Sequence, residues 1–431
     1  MKGFCEETLG SIANPSRGGL VDGPFGSNLP ASEYVEEGVP VLRGSNLSIG
    51  PSYLKENEFV FVSRELTEKL ARSICRQGDI VFTKKGTLGQ TGFISESSKF
   101  KEYLLSSNQM KISVDCRKAI PKYVYYYVSS PSSISKIIRD AEATGVPKTN
   151  VAYLKTFPIL LPSISEQQAI LDMIAPLDDK IELNWRMNET LEAMARAVFR
   201  DWFVDFGPTR RKAAGETDPG AILGGLLPDP TQATPVAALF PDSFGDNGLP
   251  EGWQKRTLGD VVEPRKGRNI TKKTVVPGDV PVVAGGLNPA YYHSTPNVTG
   301  PVITASASGA NAGFVRLYHQ DIWASDCSFI SREQTDYLFT IYALLSSRQD
   351  EIYSMQQGAA QPHIYPSDLK RLPISDAPEP VWQSLEKFLA PMFEMVANNE
   401  KENQTLAATR DLLLPKLMSG EIRLVEEEGV A

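Results

Sequence analysis

The chain has 431 residues, 41% apolar and 22% charged, which is ordinary globular composition with room for two or three domains. No run of about 18 apolar residues occurs, and the N-terminus MKGFCEETLGSI has no apolar core, so a membrane span and a signal peptide are excluded and a soluble, cytoplasmic protein is expected. Cys5, Cys75, Cys116 and Cys327 are far apart and form no CxxC, which argues against disulfides and a zinc site. The net charge of −8 would disfavour a nucleic-acid ligand if it were evenly spread. It is not: Met1 to Lys155 carries an excess of four positive charges and Gly248 to Ser375 an excess of one, so the acid lies in the remainder. Mildly basic globular parts permit DNA binding without demanding it.

In chain order, short β-rich runs bounded by Gly, Pro and Asn come first: VPVLRG, DIVFTKKG and QMKISV. AIPKYVYYYVSSPSSISKIIRDA reads as a helix after them. A long helical stretch follows, with apolar residues at steps of three and four. Residues 207–248 are rich in Pro and Gly with low apolar periodicity, which reads as a connector. The pattern then starts again with VPVVAG, PVITAS and SFISRE, the helical run DYLFTIYALLSSRQDEIYSM and a second long helical stretch.

This restart is a repeat. A shift of 215 residues carries Asn184 onto Asn399, Asn188 onto Asn403 and Ala175-Pro176 onto Ala390-Pro391. Upstream at the same shift, Pro147 meets Pro362 and Pro158-Ile159 meets Pro373-Ile374. With other offsets, GFCEETLG matches GWQKRTLG, KGTLGQTGFI resembles SGANAGFV, and SSNQMKIS resembles ASDCSFIS. The chain is one unit written twice, each a variable globular part and then a long helix of constrained length.

The first helix carries the stripe Ile170, Ile174, Leu177, Ile181, Asn184, Asn188, Leu191, Ala195, Val198, Trp202. The second carries Leu385, Leu389, Met392, Val396, Asn399, Asn403, Leu406, Arg410, Leu413, Leu417. These are heptad seams with an amide pair at the centre of each, and at 1.5 Å per residue each spans roughly 50 Å. Pro176 and Pro391 would start or kink the helices, and Pro415 would end or bend the second. An amide in a buried seam costs stability and fixes register, because it is satisfied only opposite another polar group. An antiparallel pairing would bring the Asn pairs together and make the helices a ruler between the globular parts; the plainer reading leaves the amides in solvent.

Together these features resemble the specificity (S) subunits of type I restriction-modification systems. SEQQAILDMIAPLDDKIELNWRMNETLEAMARAVFRDWFVDF, LFPDSFGDNGLPEGW and TRDLLLPKLMSGEIRL carry the resemblance, in that order, and it covers nearly the whole chain. It implies an α+β fold in which two mixed α/β target-recognition domains are separated by two long helices forming an antiparallel coiled coil, with an internal pseudo-two-fold repeat. The expected division is recognition domain 1 at 1–160, helical region 1 at 161–206, the connector at 207–248, recognition domain 2 at 249–376, helical region 2 at 377–420 and an acidic tail at 421–431. Each recognition domain would read one half of an asymmetric bipartite site on double-stranded DNA, and the helices would set the unread spacer. Two methyltransferase (M) subunits would dock on the helices and methylate adenine with S-adenosylmethionine, which they and not this chain would bind. Two restriction (R) subunits could join. The chain itself would be a non-catalytic adaptor.

Phosphate contacts position such a protein and base contacts specify. In domain 1, FTKKGTLGQTG offers Lys84, Lys85, Gly86 and Thr87, where glycines admit backbone amides to phosphate and lysines neutralise it. Its counterpart TASASGANAG offers Ser306, Ser308 and Asn311, while the charge of domain 2 lies in Arg265, Lys266, Arg268, Lys272 and Lys273. Candidates for base edges are Arg43, Asn46, Asn108 and Gln109 in domain 1 and Gln361 and His363 in domain 2. Lys148 joins them from TGVPKTN, the loop that matches GAAQPHI ahead of the helix. For every one of these a solvated or turn-closing role is the competing reading.

Chemistry of its own is not legible. NPAY (Asn288 to Tyr291) lacks the second proline of the adenine-methyltransferase [ND]PP[YF] motif and no Gly-rich cofactor loop precedes it. No GxxxxGK[ST] occurs. His293, His319 and His363 are scattered, and Cys327 has no evident base. The alternatives are an S-type adaptor of another modification or defence complex, a coiled-coil scaffold that binds DNA without specificity, and, against these motif absences, a methyltransferase in its own right.

Overall fold

The computed structural model describes residues 4–51, 54–56, 59–141, 148–358 and 362–424. It divides into two compact units, Met1–Asn184 with Glu402–Ala431, and Trp185–Lys401. Each unit therefore holds one globular part and a portion of each of the two long helices, Ile164–Phe203 and Glu379–Ser419.

In the first unit, Cys5–Thr8 pairs antiparallel with Pro158–Leu161, the strand just before the first long helix, with Thr8 opposite Pro158. Two five-stranded sheets lie between these strands in sequence. One centres on Val39–Leu42, whose four residues are all buried. Its continuous apolar run suits a strand covered on both faces, and it pairs parallel with Glu102–Leu105. The other sheet places Gln109–Ser113 between Leu20–Asp22 and Asp79–Thr83, which continues into the hairpin partner Gln90–Phe93. The core joins Ile80, Met110 and Ile112 of this sheet to Tyr123, Val124 and Tyr126, to Ile170 and Ile174, and to Leu414 and Leu417.

The second unit repeats the plan with fewer strands among the described residues. Gln254–Thr257 pairs antiparallel with Pro373–Asp376, with Thr257 opposite Pro373, the same register as Thr8 opposite Pro158. Val280–Val283 pairs parallel with Trp323–Ala324, and Val302–Ser306 forms a hairpin with Val315–Tyr318. Its core gathers Ile303, Leu317, Phe339 and Tyr342 with Val198, Trp202, Leu385, Leu389 and Phe393.

Four segments differ from their sequence reading. The helix expected over 119–141 is two, Pro121–Val128 and Pro131–Asp140, because Pro131 starts a new helix and the Ser130 side chain caps it by accepting the Ser133 N–H. Its counterpart also splits, at Arg348. Pro415 does not end the second long helix, which runs on to Ser419. An interior proline costs about 3 kcal/mol, and burial of Leu414, Leu417 and Met418 around it offsets that cost. Pro176 and Pro391 likewise lie inside continuous helices. The Pro/Gly-rich 207–248 stretch carries three short helices, Gly207–Ala213, Pro219–Ile222 and Pro230–Ala237, and contributes Ile222, Leu223, Ala233 and Phe240 to the core of its unit.

One glycine pair records the repeat at atomic detail. The Gly23 N–H donates to Gln109 O at 2.9 Å and the Gly267 N–H to Cys327 O at 2.8 Å. A β-carbon on Gly23 would overlap the Ser106 carbonyl oxygen, and one on Gly267 the Ser325 carbonyl oxygen. Gly23→Ala is expected to lower stability by about 1–3 kcal/mol, as overpacking does. The urea midpoint of the variant checks this, and an unchanged midpoint would show that the strands part without cost.

Candidate nucleic-acid interface

In the first unit the turn joining Asp79–Thr83 to Gln90–Phe93 contains Gly86 (φ 104°) and Gly89 (φ 85°), left-handed positions that favour glycine. The turn is held from two sides. The Lys84 N–H donates to Asn108 O at 2.7 Å, and Lys84 O accepts from the Thr149 N–H at 2.9 Å. Lys85 forms a β-bridge with Lys148. The structure thus brings Lys84, Lys85, Gly86, Thr87, Asn108 and Lys148 to one rim. Lys85, Thr87, Asn108 and Lys148 are exposed there, while Lys84 is half-buried and ion-paired to Asp22 at 2.8 Å.

The other candidates of this domain line the adjoining loop. Asn46 is buried, accepts the Arg43 N–H at 3.0 Å and donates to Lys55 O at 3.0 Å, so its amide closes the loop on itself. Gln109 is buried and accepts from the Ser106 hydroxyl. Arg43 is half-buried. A β-carbon on Gly44 would meet Gln90 Oε1 at 3.4 Å, which places this loop against the hairpin.

The second unit builds the same frame. The Ala307 N–H donates to Asp326 O at 3.1 Å, Ala307 O accepts from the Ile364 N–H at 3.0 Å, and Ser308 bridges His363. The shift of 215 carries Lys148 onto His363 and Thr149 onto Ile364, and the aligned segments carry Lys84 onto Ala307, Lys85 onto Ser308 and Asn108 onto Asp326. Backbone pairing is kept at every one of these positions while the side chains change. Ser308 also donates through its hydroxyl to Asp326. Ser306 is buried and Asn311 half-buried, with Asn311 O accepting the Phe314 N–H at 2.9 Å. The His363 ring stacks on Tyr365 at 6.1 Å. Gln361 lies outside the described residues.

The basic residues of this domain flank the frame. Arg265 and Lys266 form a short strand beside Cys327–Ser331, where Lys266 opposite Ser328 takes the place that Asp22 opposite Met110 holds in the first unit. Arg265 pairs with Glu333 at 3.3 Å. Lys266, Arg268, Lys272 and Lys273 are exposed, the last two in a turn closed by Thr271 and Thr274. Asp22 and Asp326 also lie on these frames, although the candidates read from sequence were basic, amide or small polar residues; Asp326 stands opposite Asn108 in the aligned segments.

No seam position of either long helix is exposed. Within the first unit, Asn184 Nδ2 donates to Asn403 Oδ1 at 2.9 Å and to Glu402 Oε2 at 2.8 Å, and Lys180 pairs with Glu402 at 3.3 Å. Further along, Arg410 pairs with Asp178 at 2.5 Å and donates to Pro51 O at 2.8 Å, and the Tyr126 hydroxyl donates to Asp178 at 2.5 Å. Numbers rise on one helix as they fall on the other, so these segments run antiparallel. Within the second unit, Asn399 Nδ2 donates to Asn188 Oδ1 at 2.8 Å. Burial lifts the Asp178 carboxyl above its usual pKa range, with Arg410 opposing. Sequence reasoning placed Arg410 in the seam but missed Asp178, which sits one residue off the stripe.

Among the described residues no cluster of three His, Cys, Asp or Glu is arranged to hold a metal, and no helix is long and apolar enough to cross a membrane. Burial pushes the Cys327 thiol up to about 12, which suits packing.

A model of the "Type I restriction modification DNA specificity domain" matches residues 31–193 and again 250–407. The type I restriction enzyme MjaIX specificity subunit of Methanocaldococcus jannaschii is 24% identical over 411 residues, spanning 88% of this chain and 87% of that protein. The HindI specificity subunit of Haemophilus influenzae is 23% identical, spanning 82% of this chain and 88% of that one. The S subunit of a type I restriction-modification system from M. genitalium shares the fold at a TM-score of 0.50 and 15% identity, covering 96% of each chain. Two specificity-domain matches, on the two halves of a repeat whose strands and helices pair alike, place this chain in the type I restriction-modification specificity-subunit family.

Proposed function

We propose that the chain is the DNA-recognition subunit of a type I restriction-modification complex and catalyses nothing itself. Each globular part reads one half of an asymmetric bipartite site. The long helices set the spacer and dock two M subunits, which carry S-adenosylmethionine and methylate adenine. R subunits join that assembly to cleave unmodified DNA, and the whole acts in the cytoplasm, where the chromosome is. The observation that carries this reading is the shared frame: two copies of one backbone rim present different side chains, as two readers of two different half-sites require. Lys84, Lys85 and Lys148 in one copy and Lys266, Arg268, Lys272 and Lys273 in the other supply the phosphate-neutralising charge.

The test is to express the chain with its methyltransferase subunit in a host lacking adenine methylation and to map N6-methyladenine across the genome. A split, asymmetric motif with a fixed spacer is the expected result. Absence of new methylation from an assembled complex would overturn the reading in favour of a scaffold or an adaptor for other chemistry. Reversing Lys85 and Lys148 to glutamate is expected to weaken DNA binding by the complex and flatten its salt dependence, in equal measure for all sequences. Fluorescence anisotropy across a salt series checks this, and an unchanged slope would remove these lysines from the phosphate-binding set.

A further inference from the structure

The frame shared by the two domains shows where they differ chemically. Its hydrogen bonds are made by peptide groups, so they place no demand on the side chains. The side chains are therefore free to differ between the two domains. Here Lys84 becomes Ala307, Lys85 becomes Ser308, Asn108 becomes Asp326 and Lys148 becomes His363. Beside them the flanking acid Asp22 becomes the base Lys266. The first rim is dominated by donors. The second holds a carboxylate at its centre with the cations moved to its flank.

A carboxylate beside DNA is repelled by phosphate, so it is useful only where it meets a hydrogen-bond donor. In the major groove the bases offer two such donors, the exocyclic amino groups of cytosine and adenine. Asp326 is prepared for that task. It is half-buried, its backbone oxygen is tied to Ala307, and the Ser308 hydroxyl donates to its Oδ2. That contact orients the carboxylate, which has about four lone-pair sites, and leaves others to accept. Exposed Lys266 and Arg268 nearby in the chain fold offset the repulsion from phosphate.

Resting on the DNA-recognition reading above, we propose that Asp326, oriented by Ser308, is a specificity-determining residue of the second domain that accepts a hydrogen bond from the exocyclic amino group of a cytosine or adenine. Asn108 occupies the equivalent place in the first domain and presents its amide to that half-site, flanked by the phosphate-facing Lys85 and Lys148.

The experiment compares the methylated motif of the wild-type complex with those of Asp326→Ala and Ser308→Ala, each co-expressed with the methyltransferase subunit. Asp326→Ala should make one base-pair position of one half-site degenerate, lowering discrimination there about ten- to hundredfold. The other half-site and the spacer should stay as they are. Ser308→Ala should weaken the same position less. An Asp326→Ala complex that methylates the wild-type motif unchanged overturns the proposal, as does relaxation of the other half-site or of every position alike. If Asp326→Ala does not assemble, Ser308→Ala decides by the same criterion. A wild-type complex with no split motif would instead refute the recognition reading on which the proposal stands.

Discussion

Arg410→Ala is expected to destabilise the first unit by about 3–5 kcal/mol, the cost of leaving a buried charge without its partner. Arg410 and Asp178 are both buried, and Arg410 also holds the carbonyl of Pro51, next to the loop closed by Asn46 and Lys55. The pH dependence has a definite sign. Burial raises the Asp178 pKa and Arg410 pulls it back. A carboxyl whose folded pKa exceeds its unfolded value contributes stability that is present below the unfolded value and lost as pH rises through the folded one. Without Arg410 the rise is larger, so the deficit of the variant should be smallest in acid and grow toward neutrality. Urea midpoints from about pH 4 to about pH 8 check this; a deficit that does not vary with pH would show that Asp178 is not what the arginine compensates.

The repeat supplies the control for this variant. The shift of 215 carries Asp178 onto Phe393 and Ala195 onto Arg410, and in the second unit Phe393 is buried in an aromatic stack on Phe339 at 4.9 Å, with Ala195 buried as well. The double change Asp178→Phe and Arg410→Ala writes the second unit's solution into the first and should recover most of the loss, since a well-packed apolar pair often replaces a buried ion pair without cost. The ion pair also has a selective effect. If a first helix met the first helix of a second copy in the same antiparallel register, Asp178 would face Ala195; a second helix meeting its like would put Arg410 against Phe393. Either pairing strands a buried charge. The double variant lacks that penalty and should self-associate more readily by gel filtration.

Inserting one heptad into each long helix at matched seam positions is expected to lengthen the spacer of the methylated motif and leave both half-sites unchanged. Seven residues add roughly 10 Å at 1.5 Å per residue, or roughly three base pairs at 3.4 Å per step. A heptad keeps the seam in phase, so the amide pairs still meet. Altered half-sites would show that the helices do more than measure. Changing Asn184, Asn188, Asn399 and Asn403 together to Leu removes both partners of each Asn–Asn contact, which is near neutral or stabilising, and leaves Glu402 its ion pair with Lys180. The expected result is a folded protein whose motif tolerates more than one spacer, and failure to fold would refute the register role.

Much of the architecture was legible because it rests on periodicity. The heptad steps of Ile170 to Trp202 and Leu385 to Leu417 mark faces that must be covered, and every position on them is sheltered. The matched Thr8/Pro158 and Thr257/Pro373 registers follow from motifs that recur at both ends of each globular part. Pro415 was misleading because local proline cost was weighed without the burial of Leu414, Leu417 and Met418 around it. The helices within 207–248 were missed because short segments capped by Asp218 and Asp229 show too few turns for a 3.6-residue period to emerge.

By itself, then, the sequence determined the twofold repeat, the mixed α/β domains and the two heptad seams, since local pattern and recurrence carry all three; the antiparallel pairing and the family were implied by the resemblance its motifs carry. Only the tertiary structure decided which polar residues spend themselves on the fold and which face outward. Asn46 and Gln109 look like Asn108 in sequence, yet the first two are buried in loop contacts and the third is exposed on the rim. Asp326 acquires its place from Ser308, and Asp178 its cation from Arg410, 232 positions away. A hydrogen bond depends on distances of about 3 Å, and residues far apart in the chain come that close only when the whole unit has closed around them.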